Sequence, residues 1–152
     1  KGLNVMASDP EKWRPANRET ADHSMPYCAA VALMYGTIDH SYFDDRYLHN
    51  EELLDLVARI KCTASEEANR RVSESFLCEL DVIMRSGECT SARVEHHRGH
   101  WRNPMSDTEI EAKFRSLVAD MLPATRIDGL LTQLWRLETL GDIGTLMPMM
   151  VK

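Results

Sequence analysis

With 152 residues, a formal net charge of −6 and a pI near 5.5, the chain has one domain's length and the wrong sign of charge for phosphate backbones or anionic membrane surfaces. A chain of this size buries roughly 68–70% of its unfolded surface, enough for a working core. No apolar run reaches the ~18 residues of a spanning helix, so neither a nucleic-acid partner nor a membrane is expected. Cys28, Cys62, Cys78 and Cys89 are widely spaced and form no C-x-x-C pair, which reads as reduced thiols in a cytoplasmic protein. The chain opens on Lys1 without a signal-peptide pattern and reads as part of a longer protein.

In chain order, residues 1–16 are a polar loop punctuated by Pro10 and Pro15, with Trp13 placed to pack on the body of the domain. The run from Asn17 to Tyr27 is mostly polar and leads into Cys28-Ala29-Ala30-Val31-Ala32-Leu33-Met34, which is apolar nearly all round. That pattern predicts a buried helix from about Met25 to Tyr35, with Ser24 as N-cap, Pro26 in the first turn and Gly36 as left-handed stop. Asp22, His23 and Ser24 would then stand at the positive end of this helix, with Tyr27 one turn in, a place suited to carboxylate or phosphate groups. The same field would hold His23 neutral, and Asp22 could orient it. Capping of buried backbone groups is the plainer role open to these residues.

Ser41 with Asp44 resembles a cap for a short turn through Tyr47. Asn50 caps a helix from Glu51 to Arg59, whose stripe is Leu53, Leu54, Val57 and Ile60. Residues 64–71 are charged and read as a loop. From Phe76 the period changes to two: Phe76, Cys78, Leu80, Val82 and Met84 face one way, Glu79 and Asp81 the other. Ser86-Gly87 turns the chain, and Cys89 to His96 returns with Thr90, Ala92 and Val94 inward. Residues 60–63 offer a third strand. Ser106 and Glu109 form a capping box for a helix with Ile110, Phe114, Leu117, Val118 and Met121 at helical spacing. Pro123 breaks it, and a last helix starts near Thr125 and Asp128, buries Leu130, Leu131, Leu134, Trp135 and Leu137, and stops at Gly141. The expected fold is α+β, a single domain with a small antiparallel sheet, its hairpin at about 74–96, covered by helices.

His96, His97 and His100 invite a metal reading, yet their spacing matches no strong ligand signature and Arg98 among them disfavours a cation. No metal and no cofactor are expected. The same segment reads as a loop near a cleft or as a structural turn, since Gly99 and Asn103-Pro104 are turn formers. Lys113 and Arg115 belong to a solvated helix face. There is no G-x-S-x-G, phosphate loop or dinucleotide fingerprint, so Ser24 is no nucleophile on this pattern; capping suffices for it.

Three stretches together resemble a known family. They are Arg18-Glu19-Thr20-Ala21-Asp22-His23-Ser24 with Pro26-Tyr27; Gly99-His100 with Asn103-Pro104-Met105-Ser106; and Glu111-Ala112-Lys113-Phe114-Arg115. In order and spacing they are similar to the MmgE/PrpD family, the 2-methylcitrate dehydratases. The resemblance implies the second, C-terminal domain of a longer lyase, preceded by a large helical domain of the same protein. It implies metal-independent dehydration of a tricarboxylic acid, while relatives decarboxylate cis-aconitate or epimerise iminodisuccinate. It further implies His23 and Tyr27 as catalytic groups, Asp22, Ser24 and His100 as substrate-binding groups, a tri- or dicarboxylate substrate, and a homodimer. A binding or dimerisation module without chemistry is the reading from a different class.

Overall fold

Polar side chains that can replace a missing backbone partner sit ahead of most apolar runs in this chain, and the helices start at them. The computed structural model describes residues 6–151, which divide after His97 into two units. The first opens with a 3-10 turn, Pro10–Trp13, followed by α1 (Arg18–Asp22) and α2 (Met25–Tyr35). Asn17 caps α1, its side chain accepting from the Thr20 N–H at 2.9 Å. Ser24 caps α2 by accepting from the Tyr27 N–H at 3.1 Å. Gly36, at φ 74°, ends α2 in the left-handed region, where a Cβ would be strained.

A 3-10 turn (His40–Phe43) capped by Asp39 leads into α3 (Asp45–Leu48), then α4 (Glu51–Arg59) capped by Asn50, then α5 (Glu66–Arg71) capped by Ser65. The core lies between α2 and α4: Ala21, Tyr27, Ala30, Val31, Leu48, Leu53 and Val57 are all buried. Each large aliphatic among them is worth about 1.5–3 kcal/mol relative to an exposed position. Trp13 packs against this cluster and donates its indole N–H to the Ile60 carbonyl at 3.0 Å. A tyrosine group closes one side, with the Tyr42 ring 4.9 Å from both Tyr35 and Tyr47.

β1 (Cys78–Ile83) and β2 (Cys89–Val94) form an antiparallel hairpin that pairs Cys78 with Val94, Leu80 with Ala92 and Val82 with Thr90. Those pairs place on one face the residues that the period-two pattern grouped together. All six residues of β2 are exposed, so Thr90, Ala92 and Val94 are not turned inward as expected, and in β1 only Leu80 and Val82 are half-buried. Ion pairs tie α5 to the hairpin. Arg71 bonds both carboxylate oxygens of Glu95, at 3.0 and 2.9 Å, and Arg93 reaches Glu67 and Glu79, each at 2.7 Å.

The second unit holds α6 (Asp107–Val118) and α7 (Ala124–Leu134), then 3-10 turns at Leu137–Thr139 and Ile143–Met149. The capping box is complete: Ser106 accepts from the Glu109 N–H, and Glu109 accepts from the Ser106 N–H at 2.8 Å. Leu122, Ile127, Leu130, Leu131 and Leu146 form its core, with Phe114, Val118, Leu134, Leu140 and Met149 packed around them.

The α+β class holds, with corrections inside it. Residues 60–63 form no strand. Ile60 is the C-cap of α4, its extended backbone giving a carbonyl to Trp13 rather than to a sheet, and among the described residues the sheet has two strands. Residues 66–71 are helical rather than a loop, held by the Ser65 cap and by i,i+4 pairs of Glu66 with Arg70 and Glu67 with Arg71. Trp135 and Leu137, expected on the buried side of the last helix, are 44% and 42% exposed, because α7 ends at Leu134. Among the described residues no helix is long and apolar enough to cross a membrane.

Candidate functional site

The placement of the polar side chains of α1 and α2 depends on a break that a continuous helix would not provide. The polar run 17–23 was expected to lead directly to the start of α2. Instead it makes its own five-residue helix, and His23 is the C-cap of α1 while Ser24 is the N-cap of α2. His23 therefore faces the carbonyl end of one helix, not the amide end of the next. Its Nδ1 lies 3.1 Å from the Glu19 carbonyl and 2.5 Å from Asp22 Oδ1. The Glu19 carbonyl and then the Asp22 carboxylate raise its pKa above the usual 6.5. This corrects the expectation of an imidazole kept neutral by a helix N-terminus. The ring stands in solvent, with 56% of the side chain exposed.

Ser24 and Tyr27 are placed differently. Both are fully buried. The Ser24 hydroxyl donates to the Lys12 carbonyl at 2.5 Å while accepting from the Tyr27 N–H, so it serves the fold in both directions. The Tyr27 hydroxyl donates to the Tyr42 carbonyl at 2.7 Å. Burial pushes its pKa up to about 12, so the phenol stays protonated and can act only as a donor or acid near neutral pH. Structure thus brings Asp22 and His23 together, and seals Ser24 and Tyr27 inside the same segment.

At the other end of α1, Arg18 lines a shallow depression of about 530 Å³ with Asn17, Phe43, Asp44, Asp45 and Arg46. Arg46 lies over the Tyr47 ring, 4.4 Å from its centroid, and donates to that hydroxyl at 2.6 Å. Arg18 was part of the motif but was assigned no role from the sequence. The Tyr42 carbonyl and the Lys12 carbonyl could not be found from sequence either, since both are backbone groups brought in from other elements.

His100 belongs to the second unit. It sits in a tight turn bridged to Asn103, and its Nδ1 accepts from the Arg102 N–H at 3.1 Å. Gly99 makes that turn at φ 93°. Arg98 bonds the Glu109 carboxylate through two nitrogens and holds the Asn103 side chain at 2.8 Å, drawing the Glu109 pKa down to about 2. Among the described residues no group of three or more His, Cys, Asp or Glu is arranged to hold a metal ion.

A short mixed domain whose segment 17–27 presents an acid–base group beside buried polar anchors is the class these observations define. Residues 3–137 match the family model of the MmgE/PrpD C-terminal domain, and the chain belongs to that family. It is 26% identical over 132 residues to cis-aconitate decarboxylase of Mus musculus, a match covering 87% of this chain and 27% of that protein. The Homo sapiens cis-aconitate decarboxylase gives the same identity and the same coverage. A cis-aconitate decarboxylase-like protein oryM of Aspergillus oryzae is 24% identical over 155 residues, covering 95% of this chain and 31% of that protein. The chain thus spans about a quarter to a third of the length of these relatives.

Proposed function

We propose that this domain is part of a lyase acting on a tricarboxylic acid, with His23 exchanging a proton at a carbon beside a carboxylate. The observation that carries the reading is the His23 arrangement. An exposed imidazole whose pKa is raised by the Glu19 carbonyl and Asp22 is charged more of the time near neutral pH than an ordinary histidine. It is suited to pair with a carboxylate and to give up a proton. Decarboxylation needs that ability: when the C–CO₂ bond breaks, its electron pair stays on carbon, and an acid must supply the proton that replaces CO₂. The names of the relatives favour the same reaction, with cis-aconitate as substrate. Dehydration of 2-methylcitrate would use His23 first as a base, for which the resemblance of the three sequence stretches speaks.

Arg18, the first residue of the same short helix, is a cation for a substrate carboxylate. Tyr27 would contribute as a neutral donor once its hydroxyl leaves the Tyr42 carbonyl, and His100 as a further carboxylate contact. The groups that complete the site would come from a helical domain of the same protein, for which the greater length of the relatives leaves room, and we propose a homodimer as its assembly.

The test is a turnover assay of the full-length protein carrying this domain with cis-aconitate, 2-methylcitrate and iminodisuccinate in turn. His23→Ala should lower turnover of the accepted substrate by about 10²-fold or more, the scale of a lost acid–base group, with an unchanged melting temperature. Full activity in His23→Ala, or no turnover of any of the three acids by the parent, overturns the reading.

A further inference from the structure

Two acceptors crowd one nitrogen of His23. The Glu19 carbonyl lies 3.1 Å and Asp22 Oδ1 2.5 Å from Nδ1, and a backbone carbonyl oxygen can only accept. Nδ1 must therefore be the donor, and in the neutral ring the lone pair falls on Nε2. That choice of tautomer is forced by geometry, as it is wherever a backbone carbonyl or carboxylate claims one imidazole nitrogen. Nε2 makes no hydrogen bond among the described residues, and the ring is more than half exposed. The two-acceptor grip fixes the ring without using the atom that matters for chemistry.

We propose that Asp22 is a positioning residue for His23: together with the Glu19 carbonyl it keeps the proton on Nδ1 and turns Nε2 outward as the atom that meets a carboxylate-bearing substrate. This deepens the proposed function and rests on its assignment of His23; of the two parts the sequence left open to Asp22, substrate contact and orientation of the ring, it takes the second. The carboxylate of Asp22 is taken up by the ring, so it does not repel an anionic substrate as a free carboxylate would. Its negative charge also stabilises the imidazolium that forms whenever Nε2 holds a proton. Glu19 contributes its backbone carbonyl to the grip, and the charge of its side chain adds the smallest upward push on the ring's pKa.

Nitrogen-15 NMR of the imidazoles tests the geometry directly on the 152-residue chain. The neutral ring of His23 should show the Nδ1–H tautomer, and its midpoint should lie above the ordinary 6.5. The wild-type spectrum settles the tautomer without any variant; an Nε2–H form overturns the proposal. In Asp22→Asn the midpoint should fall while the melting temperature holds, and Asp22→Glu should recover part of the shift. A midpoint that does not move in Asp22→Asn also overturns it. The kinetic arm separates this from the reading beneath it. If Asp22→Asn shifts the NMR midpoint, the pH–rate limb of the full-length enzyme should shift downward in parallel, with a larger change in kcat than in KM. A shifted midpoint with an unmoved pH–rate limb removes His23 from the reaction, and with it the outward-facing role of Nε2.

Discussion

Around α2 and α4, seven side chains lose nearly all contact with solvent, whereas every residue of β2 in the same unit remains exposed. The first region is assembled by apolar burial, the second by main-chain pairing and by the Arg71–Glu95 and Glu67–Arg93–Glu79 ion pairs. Burial responds weakly to salt and pH, while exposed ion pairs respond to both and contribute little at equilibrium. The 17–27 segment leans on the first kind of support. Ala21, Ser24, Pro26 and Tyr27 are all buried there, so His23 is an exposed group mounted on a rigid base. The hairpin has no such base.

The strongest way to break this contrast is to empty the core. Leu53 is fully buried between α4 and the cluster around Tyr27, and Leu53→Ala should cost about 2–5 kcal/mol in chemical denaturation. A cost under 1 kcal/mol would mean that burial is not what holds this region. Ser24→Ala comes next. Loss of the cap on α2 and of the bond to the Lys12 carbonyl should cost about 1 kcal/mol, within a range of 0.5–2. Tyr27→Phe leaves the ring in place but deprives the Tyr42 carbonyl of its donor, for a similar cost of about 1 kcal/mol. A melting temperature equal to that of the parent, combined with lost turnover, would instead make the hydroxyl a working group.

The smallest effect belongs to the hairpin and sharpens the comparison. The Arg71 guanidinium holds Glu95 down to about 2, below the usual range of glutamate. A depressed carboxylate adds stability above its unfolded pKa and loses it as pH falls toward the folded value. Protection of the 78–94 amides in hydrogen exchange should therefore fall between about pH 4.5 and 2, and with rising salt, before the α2 and α4 amides respond. Simultaneous loss of both sets would show one cooperative body where two modes of support are described.

What could be read from the sequence was what depends on near neighbours. Ser24, Asn50 and the Ser106–Glu109 box were visible because a cap and its target lie three residues apart. The face pattern of the hairpin was visible for the same reason. α1 and α5 escaped because helices of five and six residues present almost no apolar stripe. Asn17 for α1 and Ser65 for α5 were the overlooked counterparts to Ser24, each accepting from the backbone N–H three positions on. The 60–63 error came from reading an apolar, extended stretch as a strand when its carbonyl was promised to Trp13, 47 positions away. The direction of the His23 shift had the same origin: without α1, nothing told which helix end it faced.

The indole of Trp13 has an optical consequence. It is half-buried and anchored to Ile60, whereas Trp101 is 75% exposed and Trp135 is 44% exposed, both in the second unit. In a chain where Trp101 and Trp135 are replaced by phenylalanine, the remaining emission reports from the first unit alone. Its wavelength should move to the red as the 10–13 turn lifts from the end of α4, giving a spectroscopic clock for the loosening of the scaffold under His23.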